Sequence, residues 1–396
     1  MTRHSLPPTV WWLSLCQALL VSGNIVLVTI TSLIGERIAP SVGLATLPVA
    51  IQMLGLTAAT LPAGWLTARL GRRATFVIGN VFGLLGIALC AQALIQQGFV
   101  LFNLGTFLIG ASIGTGMLYR FAAVDAAPTQ QRAKALSMVM GGGVLAALFG
   151  PWLAVQTHAL LETPFLGSFL GLAVLYTIAL AIIVCVPLSN PVSPQRDARG
   201  RRTRDLMRLP TLMSAIVTGT LGYTLMVLIM TATPLAMNHA QLDFAEVANV
   251  IRWHVLAMYA PSFVTGHLIQ RLGCRAMIAL GGVLLALAAA CALQAPNVSA
   301  YYAGLILLGL GWNFTFVTAS AWLTTTYRSE EAPRAQALND CLVFSGSTLA
   351  SLAAGPVNEA LGWVSMNLVT LPVCGLIVVL ALRRRHSERT SEPSGA

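Results

Sequence analysis

The sequence comprises 396 residues, of which 56% are hydrophobic and only 9% are charged, and its mean hydropathy is +0.77. Soluble domains average roughly 25% charged residues, so the composition excludes an ordinary soluble protein and indicates one embedded in lipid. A formal net charge of +10 would suit nucleic-acid binding in a soluble protein. In a membrane protein, the positions of the basic residues instead report topology.

Apolar stretches long enough to cross a bilayer recur along the whole chain. A hydrocarbon core of about 30 Å requires about 20 apolar residues per helix, and short segments with charge, Gly or Pro separate the stretches. We therefore expect an all-α, polytopic membrane protein with twelve transmembrane helices. The predicted helices 1 to 12 cover residues 10–34, 43–68, 74–96, 99–123, 134–157, 165–187, 209–235, 244–270, 275–295, 299–325, 334–358 and 363–382.

The basic residues fall almost entirely on one side of this arrangement. If both termini are cytoplasmic, twenty of the twenty-three Lys and Arg residues lie in cytoplasmic segments. Arg37 lies outside, and Arg120 and Arg252 lie within or at the edge of helices 4 and 8. Cytoplasmic loops of membrane proteins are enriched in Lys and Arg. The sequence therefore predicts a bacterial inner-membrane protein with both termini in the cytoplasm.

The chain divides into two related halves. Gly64 in GWLTARLGRR corresponds to Gly266 in GHLIQRLGCR, and Arg132 in RAKAL corresponds to Arg334 in RAQAL, both 202 residues apart. A segment rich in Pro and Arg, NPVSPQRDARGRRTRDLMRLP, separates the halves and lacks apolar periodicity. We expect six-helix bundles at residues 1–187 and 209–396, joined by a cytoplasmic linker at 188–208.

The loop after helix 2 carries the pattern G-x-x-x-x-R-x-G-x-R, which runs from Gly64 to Arg73. This pattern, together with the parallel duplication, resembles the major facilitator superfamily. The resemblance spans the whole chain and implies that superfamily's fold, in which two six-helix bundles rock about a site near the membrane midplane. The superfamily usually has Asp before the first Arg of the pattern. Here Ala68 and, in the second half, Gln270 stand at that place.

Asp340, near the inner end of helix 11, is a candidate replacement for the missing carboxylate. In one interpretation it pairs with Arg69 or Arg72 across the halves, where breaking a buried pair would be costly. In the other it is a solvated residue in the first turn of its helix, stabilised by the helix dipole.

Helices 7 and 8 carry pairs of side chains that suit a soft metal. Met226 and Met230 form M-x-x-x-M, and His254 and Met258 form H-x-x-x-M. Residues four apart project from one helix face. Helix 7 rises outward and helix 8 descends, which puts Met226 and His254 both about 5 Å outside the midplane. Met237 falls near the same face of helix 7 and would be an outer waypoint.

Thioether ligands select Cu(I), and imidazole accepts both copper states, so these four side chains predict a copper site. Met is also a common filler of apolar interiors, and the intramembrane His254 would equally suit a packing residue bonded to Asn249 or to a backbone carbonyl. The spacing alone therefore leaves both interpretations open.

Helices 7 and 8, with NHAQLDFAEVANVIRWHVLAMYAPSFVTGHLIQRLG and LGLGWNFTF…ALNDCLVF, resemble the CcoA-type copper importers of the superfamily. The resemblance implies that Met226, Met230, His254 and Met258 bind copper. It also implies import of copper as the transported substrate, which would reach cbb-type cytochrome oxidase through downstream copper chaperones. At the offset of 202, the first half repeats none of these ligands.

Other functional classes fit less well. The sequence contains no Ser/His/Asp arrangement, phosphate-binding loop or carboxylate pair, so we expect neither an enzyme nor a bound cofactor. A drug/proton antiporter with a Met-lined apolar pocket is the main alternative, because Gly150-Pro151 resembles the antiporter motif of helix 5. Thr106, where such antiporters usually have Arg, counts against it. A metal sensor or an oxidase-assembly scaffold is a third functional class. The lack of an appended soluble domain in this sequence counts against it.

His239, Asp243 and Glu246 cluster at the predicted outer mouth and would suit capture of an arriving metal. The stretch Asp243-Phe-Ala-Glu246 also has the pattern of a capping box at the start of helix 8. We favour the capping interpretation.

Arg120 and Asp125 near the inner end of helix 4 would suit a proton relay. They are five residues apart and project from different sides of the helix, which favours anchoring at the membrane interface. In helix 10, Trp312, Asn313 and Phe314 would either gate the same cavity or pack the interior.

Overall fold

A computed structural model describes residues 6–128, 131–188, 201–328 and 331–382. Within these ranges the chain forms helices and turns, without strands. Eight helices are individually long and apolar enough to cross a membrane, and Arg334–Leu368 with Leu371–Leu382, bent by 41°, adds a ninth such span. Arg132–Thr157, Phe244–Tyr259 and the division of the ninth span at Gly362 complete the twelve-helix, all-α architecture that the sequence predicts.

The first bundle follows the predicted order. Its helices are Pro8–Ile38 (helix 1), Leu47–Gln96 with a break at Gly71 (helices 2 and 3), Phe99–Gly116 with Tyr119–Ala126 (helix 4), Arg132–Thr157 (helix 5) and Leu166–Cys185 (helix 6).

The second bundle repeats this order of helices with more interruptions. Its helices are Pro210–His239 (helix 7), Phe244–Tyr259 continuing into Ser262–Cys291 with a break at Gly273 (helices 8 and 9), Val298–Trp312 with the π-helical Asn313–Val317 and Thr318–Thr324 (helix 10), and Ala332–Leu368 with a break at Gly362 followed by Leu371–Leu382 (helices 11 and 12).

The internal duplication is visible in the backbone. Gly71 (φ 82°) and Gly273 (φ 79°) both have positive φ and reverse the chain between consecutive helices. They lie 202 residues apart, the same offset as the sequence motifs. A positive φ costs glycine little and other residues more, so each half needs Gly at this turn. We call the side of the bundle with these two turns and residues 201–208 the linker side, and the opposite side the far side.

Three hydroxyl side chains inside helix 1 form hydrogen bonds within their own helix. The Oγ atoms of Ser14 and Ser22 and Oγ1 of Thr29 donate to the carbonyl oxygens four residues earlier, at 2.7 to 2.8 Å. In a bilayer, where water cannot serve, each polar group needs such a partner. Helix 1 therefore carries polar residues without exposing them to lipid, and it lies at the centre of the bundle with 78% of its apolar window buried.

The two halves are in close contact on the far side. Oε1 of Glu36 at the end of helix 1 lies 2.6 Å from Nε2 of His239, and Nδ2 of Asn238 donates to Oε2 of Glu36 at 3.0 Å. The backbone N–H of Gly355 in helix 11 donates to Oγ1 of Thr46 at 2.9 Å. These contacts join the first bundle to helices 7 and 11 and close the far side.

The linker side is looser. A Cβ atom added at Gly64, Gly141 or Gly266 would meet no described atom within 4 Å. These glycines lie toward the linker-side ends of helices 2, 5 and 8. The direct contacts of Glu36 with His239 and of Gly355 with Thr46 thus join the bundles on the far side, whereas these three glycines have open space beside them on the linker side.

The end of the linker is fixed to the second bundle. Arg201 donates to both carboxylate oxygens of Glu331, from Nε at 2.7 Å and from Nη2 at 2.8 Å. The backbone N–H groups of Arg201 and Arg328 also donate to Glu331, each at 3.0 Å. The Arg201 guanidinium and these N–H groups lower the pKa of Glu331 well below its usual range. Of the predicted linker, residues 189–200 lie outside the described residues, and the predicted bundle boundaries stay a prediction.

The structure corrects the expected partner of Asp340. Arg72 forms an ion pair with Asp125 inside the first bundle, and the guanidinium of Arg69 lies over the Trp65 ring at 4.4 Å. The cation that interacts electrostatically with Asp340 is Arg120. Asp340 is half-buried rather than solvated, so both earlier interpretations of this residue were wrong.

Candidate functional site

A cavity lies between the two bundles and consists of two adjoining compartments. The compartment nearer the linker side is lined by helices 1, 2, 4, 5, 7, 8 and 11. The one nearer the far side is lined by helices 1, 2, 7 and 8. Five residues belong to the walls of both: Val21, Asn24, Met53, Tyr223 and Tyr259. The compartments therefore form one path through the middle of the protein.

The cavity walls repeat the internal duplication. At the offset of 202, six residues of helices 1 and 2 that line the cavity correspond to six lining residues of helices 7 and 8. The pairs are Val21 and Tyr223, Asn24 and Met226, Ile25 and Val227, Val28 and Met230, Met53 and Val255, and Leu56 and Met258. The site thus lies on the pseudo-twofold axis, although the chemistry differs between paired positions.

The linker-side compartment carries the polar groups. Gln17 and Asn24 on helix 1 and Arg120 on helix 4 line it. Nε2 of Gln52 donates to Oδ1 of Asn24 at 2.8 Å, which fixes that amide. Arg120 also interacts electrostatically with Asp340 of the opposite bundle. Arg120 therefore contributes to the cavity, and the predicted anchoring role at the membrane interface was wrong. Asp125 pairs with Arg72 instead of forming a relay with Arg120.

Aromatic rings form much of the remaining wall. Tyr223, Tyr259 and Phe344 line the linker-side compartment. Behind them, the Trp312 ring packs edge-on against Tyr223 at 5.7 Å and Tyr259 at 6.0 Å between ring centroids, and it stacks on Phe316 at 5.2 Å. Edge-to-face and offset contacts of this kind fix ring orientations. Trp312 packs behind the cavity wall instead of gating it, and its indole supports the two tyrosines.

Three of the four predicted metal ligands face the far-side compartment. Met226, Met230 and Met258 line it together with Met53 of helix 2, which the sequence reasoning missed. Met237, the predicted waypoint, is fully buried in the core of the second bundle. Among the described residues, no group of three His, Cys, Asp or Glu side chains gathers in a way that could hold a metal ion.

His254 is separated from the three methionines. It is fully buried, is not part of the cavity lining, and its Nδ1 lies 2.7 Å from the carbonyl oxygen of Leu305 on helix 10. Its Nε2 has no hydrogen-bond partner among the described residues. The lining face of helix 8 is formed by Val255, Met258 and Tyr259, and His254 lies about 100° round the helix from Val255.

Asn313 supports the part of helix 8 that faces the cavity. Helix 8 is interrupted between Tyr259 and Ser262, where Pro261 has no N–H to donate. Nδ2 of Asn313 donates to the carbonyl oxygen of Met258 and to Oγ of Ser262, both at 2.7 Å, and its Oδ1 accepts from Oγ1 of Thr265 at 2.6 Å. A fully buried amide thus bridges the two pieces of the helix.

The predicted capping box at the start of helix 8 is absent. Asp243 is the N-cap residue, but its side chain makes no capping hydrogen bond. Glu246 accepts instead from the hydroxyl of Tyr302 at 2.8 Å. His239 pairs with Glu36, so its contact is between the bundles and it does not join a metal-capturing cluster with Asp243 and Glu246.

The missed polar residues did have a signal in the sequence. Gln17 and Asn24 are seven residues apart and therefore share one face of helix 1. Polar side chains inside an apolar span usually face the bundle interior. The offset of 202 also links Asn24 to Met226, so the alignment of the halves pointed to the first-half wall of the cavity.

The model of the Major Facilitator Superfamily matches residues 13–260 and 212–396 of this sequence. The chain belongs to the major facilitator superfamily. As a member of this superfamily it is a multi-pass membrane transporter and not an enzyme.

Relatives within the major facilitator superfamily cover most of the chain. The riboflavin transporter RfnT of Brucella anthropi is 36% identical over 384 residues, which are 96% of this chain and 96% of that protein. The uncharacterized MFS-type transporter YdeG of Bacillus subtilis is 31% identical over 360 residues, or 86% and 84% of the two chains. The multidrug resistance protein MdtL of Escherichia coli is 23% identical over 273 residues, or 68% of each.

Solved structures share the fold. A POT family peptide transporter superposes with a TM-score of 0.71 at 14% sequence identity, covering 95% of this chain and 96% of that one. The human organic anion transporter MFSD10 superposes with a TM-score of 0.70 at 16% identity, covering 95% and 100%. At these identities the likeness concerns the major facilitator fold alone.

Proposed function

We propose that this chain transports riboflavin, or a flavin of closely similar structure, across the membrane. The observation that carries the proposal is its 36% identity with the riboflavin transporter RfnT along 96% of both chains. The matched 384 residues span the cavity-lining helices as well as the scaffold.

The chemistry of the cavity supports a flavin. Riboflavin has a flat tricyclic ring, an apolar dimethylbenzene end, a pyrimidine end with carbonyl and N–H groups, and a polyhydroxyl chain. Tyr223 and Tyr259 offer aromatic faces and edges, and the methionines of the far-side compartment offer an apolar, adaptable surface. Amide and guanidinium groups lie at the linker-side end. Small-molecule sites commonly combine apolar walls with a few placed polar groups.

The proposal includes the direction of transport and the membrane in which the protein resides. The chain would reside in a bacterial inner membrane with its termini and linker in the cytoplasm, in keeping with the distribution of Lys and Arg. The closed far side and the looser linker side then correspond to the state that releases solute into the cytoplasm. Rocking of the bundles about the cavity would provide uptake by alternating access.

Growth and uptake test this proposal directly. A bacterium that cannot make or import riboflavin should grow on low external riboflavin when it expresses this chain, and its vesicles should accumulate the vitamin. Tyr223→Ala should lower uptake roughly three- to tenfold, because this factor corresponds to the free energy of the aromatic contacts that are lost. Tyr223→Phe should retain uptake. Phe82→Ala, at an exposed ring on helix 3, is the matched control. Absence of riboflavin uptake by well-expressed wild type would contradict the proposal.

Copper import for cbb-type oxidase assembly is the second candidate function. One observation favours it: four thioethers, from Met53, Met226, Met230 and Met258, line a single compartment, and soft ligands select Cu(I). The imidazole of His254 is bonded to helix 10 and outside that lining. The relatives above are named for riboflavin and multidrug resistance, so copper and its chaperone partners rest on these residues alone.

Substitution of thioethers by leucine separates the two cargoes. Met226→Leu with Met258→Leu keeps the apolar surface and removes two soft ligands. Radioactive copper uptake that disappears in this variant, and in His254→Ala with Met226→Ala, would favour copper. We expect instead that copper accumulation equals that of vector-only cells, and that flavin uptake by the leucine variant stays within about threefold of wild type.

A further inference from the structure

The linker-side compartment contains two polar atoms without a protein partner. Oε1 of Gln17 on helix 1 and Nε of Arg120 on helix 4 form no hydrogen bond to any described residue. Both side chains line the compartment, and Gln17 is only 6% exposed. Both atoms are themselves buried. Because buried polar groups in proteins are nearly always paired, two unpaired atoms in side chains that line one compartment indicate a polar ligand that reaches them when it binds.

The two atoms have complementary chemistry. The amide oxygen of Gln17 accepts a hydrogen bond, and the Arg120 guanidinium only donates. An imide edge presents an N–H between two carbonyl groups, so it can donate to the amide oxygen and accept from the guanidinium at the same time. The pyrimidine ring of a flavin carries such an edge, whereas its dimethylbenzene end carries none.

We propose that Gln17 and Arg120 form hydrogen bonds with the imide edge of the flavin pyrimidine ring and thereby determine which solute the protein transports. This inference rests on the proposed function. Oε1 of Gln17 accepts from the imide N–H, and Arg120 donates to the neighbouring carbonyl oxygen. The ring system then passes Tyr223 and Tyr259, which belong to both compartments, and its dimethylbenzene end lies among the methionines of the far-side compartment.

The pairing explains why both residues come from the first bundle. Helices 1 and 4 hold the polar end of the ligand, and helices 7 and 8 supply two of the rings and three of the four thioethers that contact its apolar part. A ligand bound in this way spans the two bundles. Its release therefore requires loss of contacts with both, and a solute without the imide edge loses its hydrogen bonds with Gln17 and Arg120.

Comparison of two flavins tests the inference. In proteoliposomes, wild type should transport riboflavin about tenfold or more faster than N3-methylriboflavin, because the methyl group removes the N–H that pairs with Gln17. Gln17→Met should lower riboflavin transport and bring the ratio of the two rates close to one. Arg120→Gln should slow both flavins by similar factors, since both retain the carbonyl groups. Gln92→Met, at an exposed glutamine of helix 3, should keep the wild-type ratio.

The outcomes are distinguishable. Equal transport of the two flavins by wild type, or a ratio that persists in Gln17→Met, would overturn the role of the imide edge and leave flavin transport intact. Failure of wild type to transport either flavin would overturn the proposed function and this inference with it. The comparison within wild type needs no variant, so misfolding of a variant does not affect it.

Discussion

The backbone of Gly355 in helix 11 lies against the carbonyl group of Gly43 across the two bundles. A Cβ atom at position 355 would be 2.7 Å from that oxygen and 2.7 Å from Oγ1 of Thr46. Both contacts are with the first bundle on the far side. Closure of the far side therefore depends on the absence of a side chain at this position.

Gly355→Ala should disfavour the far-side-closed state. Overpacking a tight contact costs about 1–3 kcal/mol, which shifts a conformational equilibrium by roughly 5- to 150-fold. We expect a corresponding fall in riboflavin uptake by proteoliposomes. Gly375→Ala in helix 12 is the matched control, because a Cβ atom there would meet no described atom within 4 Å. Wild-type uptake by both variants would show that this contact does not limit transport.

Loss of the Asn313 side chain should weaken the cavity wall from behind. Asn313→Leu removes the partner of the Met258 carbonyl and leaves the buried hydroxyl of Thr265 with one acceptor fewer. Each unpaired buried group costs about 1–3 kcal/mol. We expect a lower unfolding temperature and an increased KM for riboflavin, since Met258 and Tyr259 lose their support.

A matched substitution is Asn103→Leu, because the side chain of Asn103 donates to the carbonyl oxygen of Phe99 in its own helix and does not line the cavity. It should leave the KM unchanged. An equal rise in KM for both variants would refute the positioning role of Asn313.

Neutralising Glu331 should release the end of the linker. Glu331→Gln removes the charge that holds Arg201, so trypsin should cleave faster at the arginines of residues 201–208. Asp205→Asn, at an exposed carboxylate in the same segment, should not change the rate. Identical cleavage of wild type and Glu331→Gln would exclude a holding role for this ion pair.

The pH dependence of the same contact follows from the lowered pKa of Glu331. A carboxylate with a depressed pKa contributes fully above its ordinary pKa and loses its contribution only as the pH falls through the lowered value. The difference in unfolding temperature between wild type and Glu331→Gln should therefore stay constant between about pH 6 and 8 and shrink only in strong acid. A difference that changes within the neutral range would contradict this account.

The contact between Glu36 and His239 should affect far-side closure weakly. The two side chains are 20% and 49% exposed, and exposed ion pairs contribute about 0.2–1 kcal/mol. In a background with the native cysteines replaced, Glu36→Gln should raise the rate at which an impermeant maleimide reaches a cysteine at position 230 by up to about fivefold. Glu162→Gln, an exposed far-side carboxylate, should have no effect. Slower labelling of Glu36→Gln than of its parent would contradict a contribution of this contact to far-side closure.

The architecture was predictable because it follows from length and periodicity. Twelve apolar segments and the offset of 202 were enough to expect two bundles, and the same offset pairs the cavity walls of helices 1 and 2 with those of helices 7 and 8. Spacing also predicted that Met226 and Met230 share a face, and both line the cavity. These properties depend on local geometry, which sequence specifies well.

The direction of individual side chains was harder to predict. The four-residue spacing relates His254 to Met258 on one helix, but it does not say which face meets the cavity, and that face centres on Val255 and Tyr259. The partner of Arg72 proved to be Asp125 on helix 4, because packing brings helices 3 and 4 together. Such long-range pairs depend on the tertiary arrangement of the helices, which the sequence motifs do not determine.

Arg120 of the first bundle and Asp340 of the second bundle interact electrostatically. An uncharged flavin moves no charge of its own across the membrane, so in its transport the membrane potential acts only on an ion that moves with it. A cuprous ion would instead gain about 2.3 kcal/mol for each 100 mV of inside-negative potential. The charge that the cargo itself carries therefore differs between the two candidate functions.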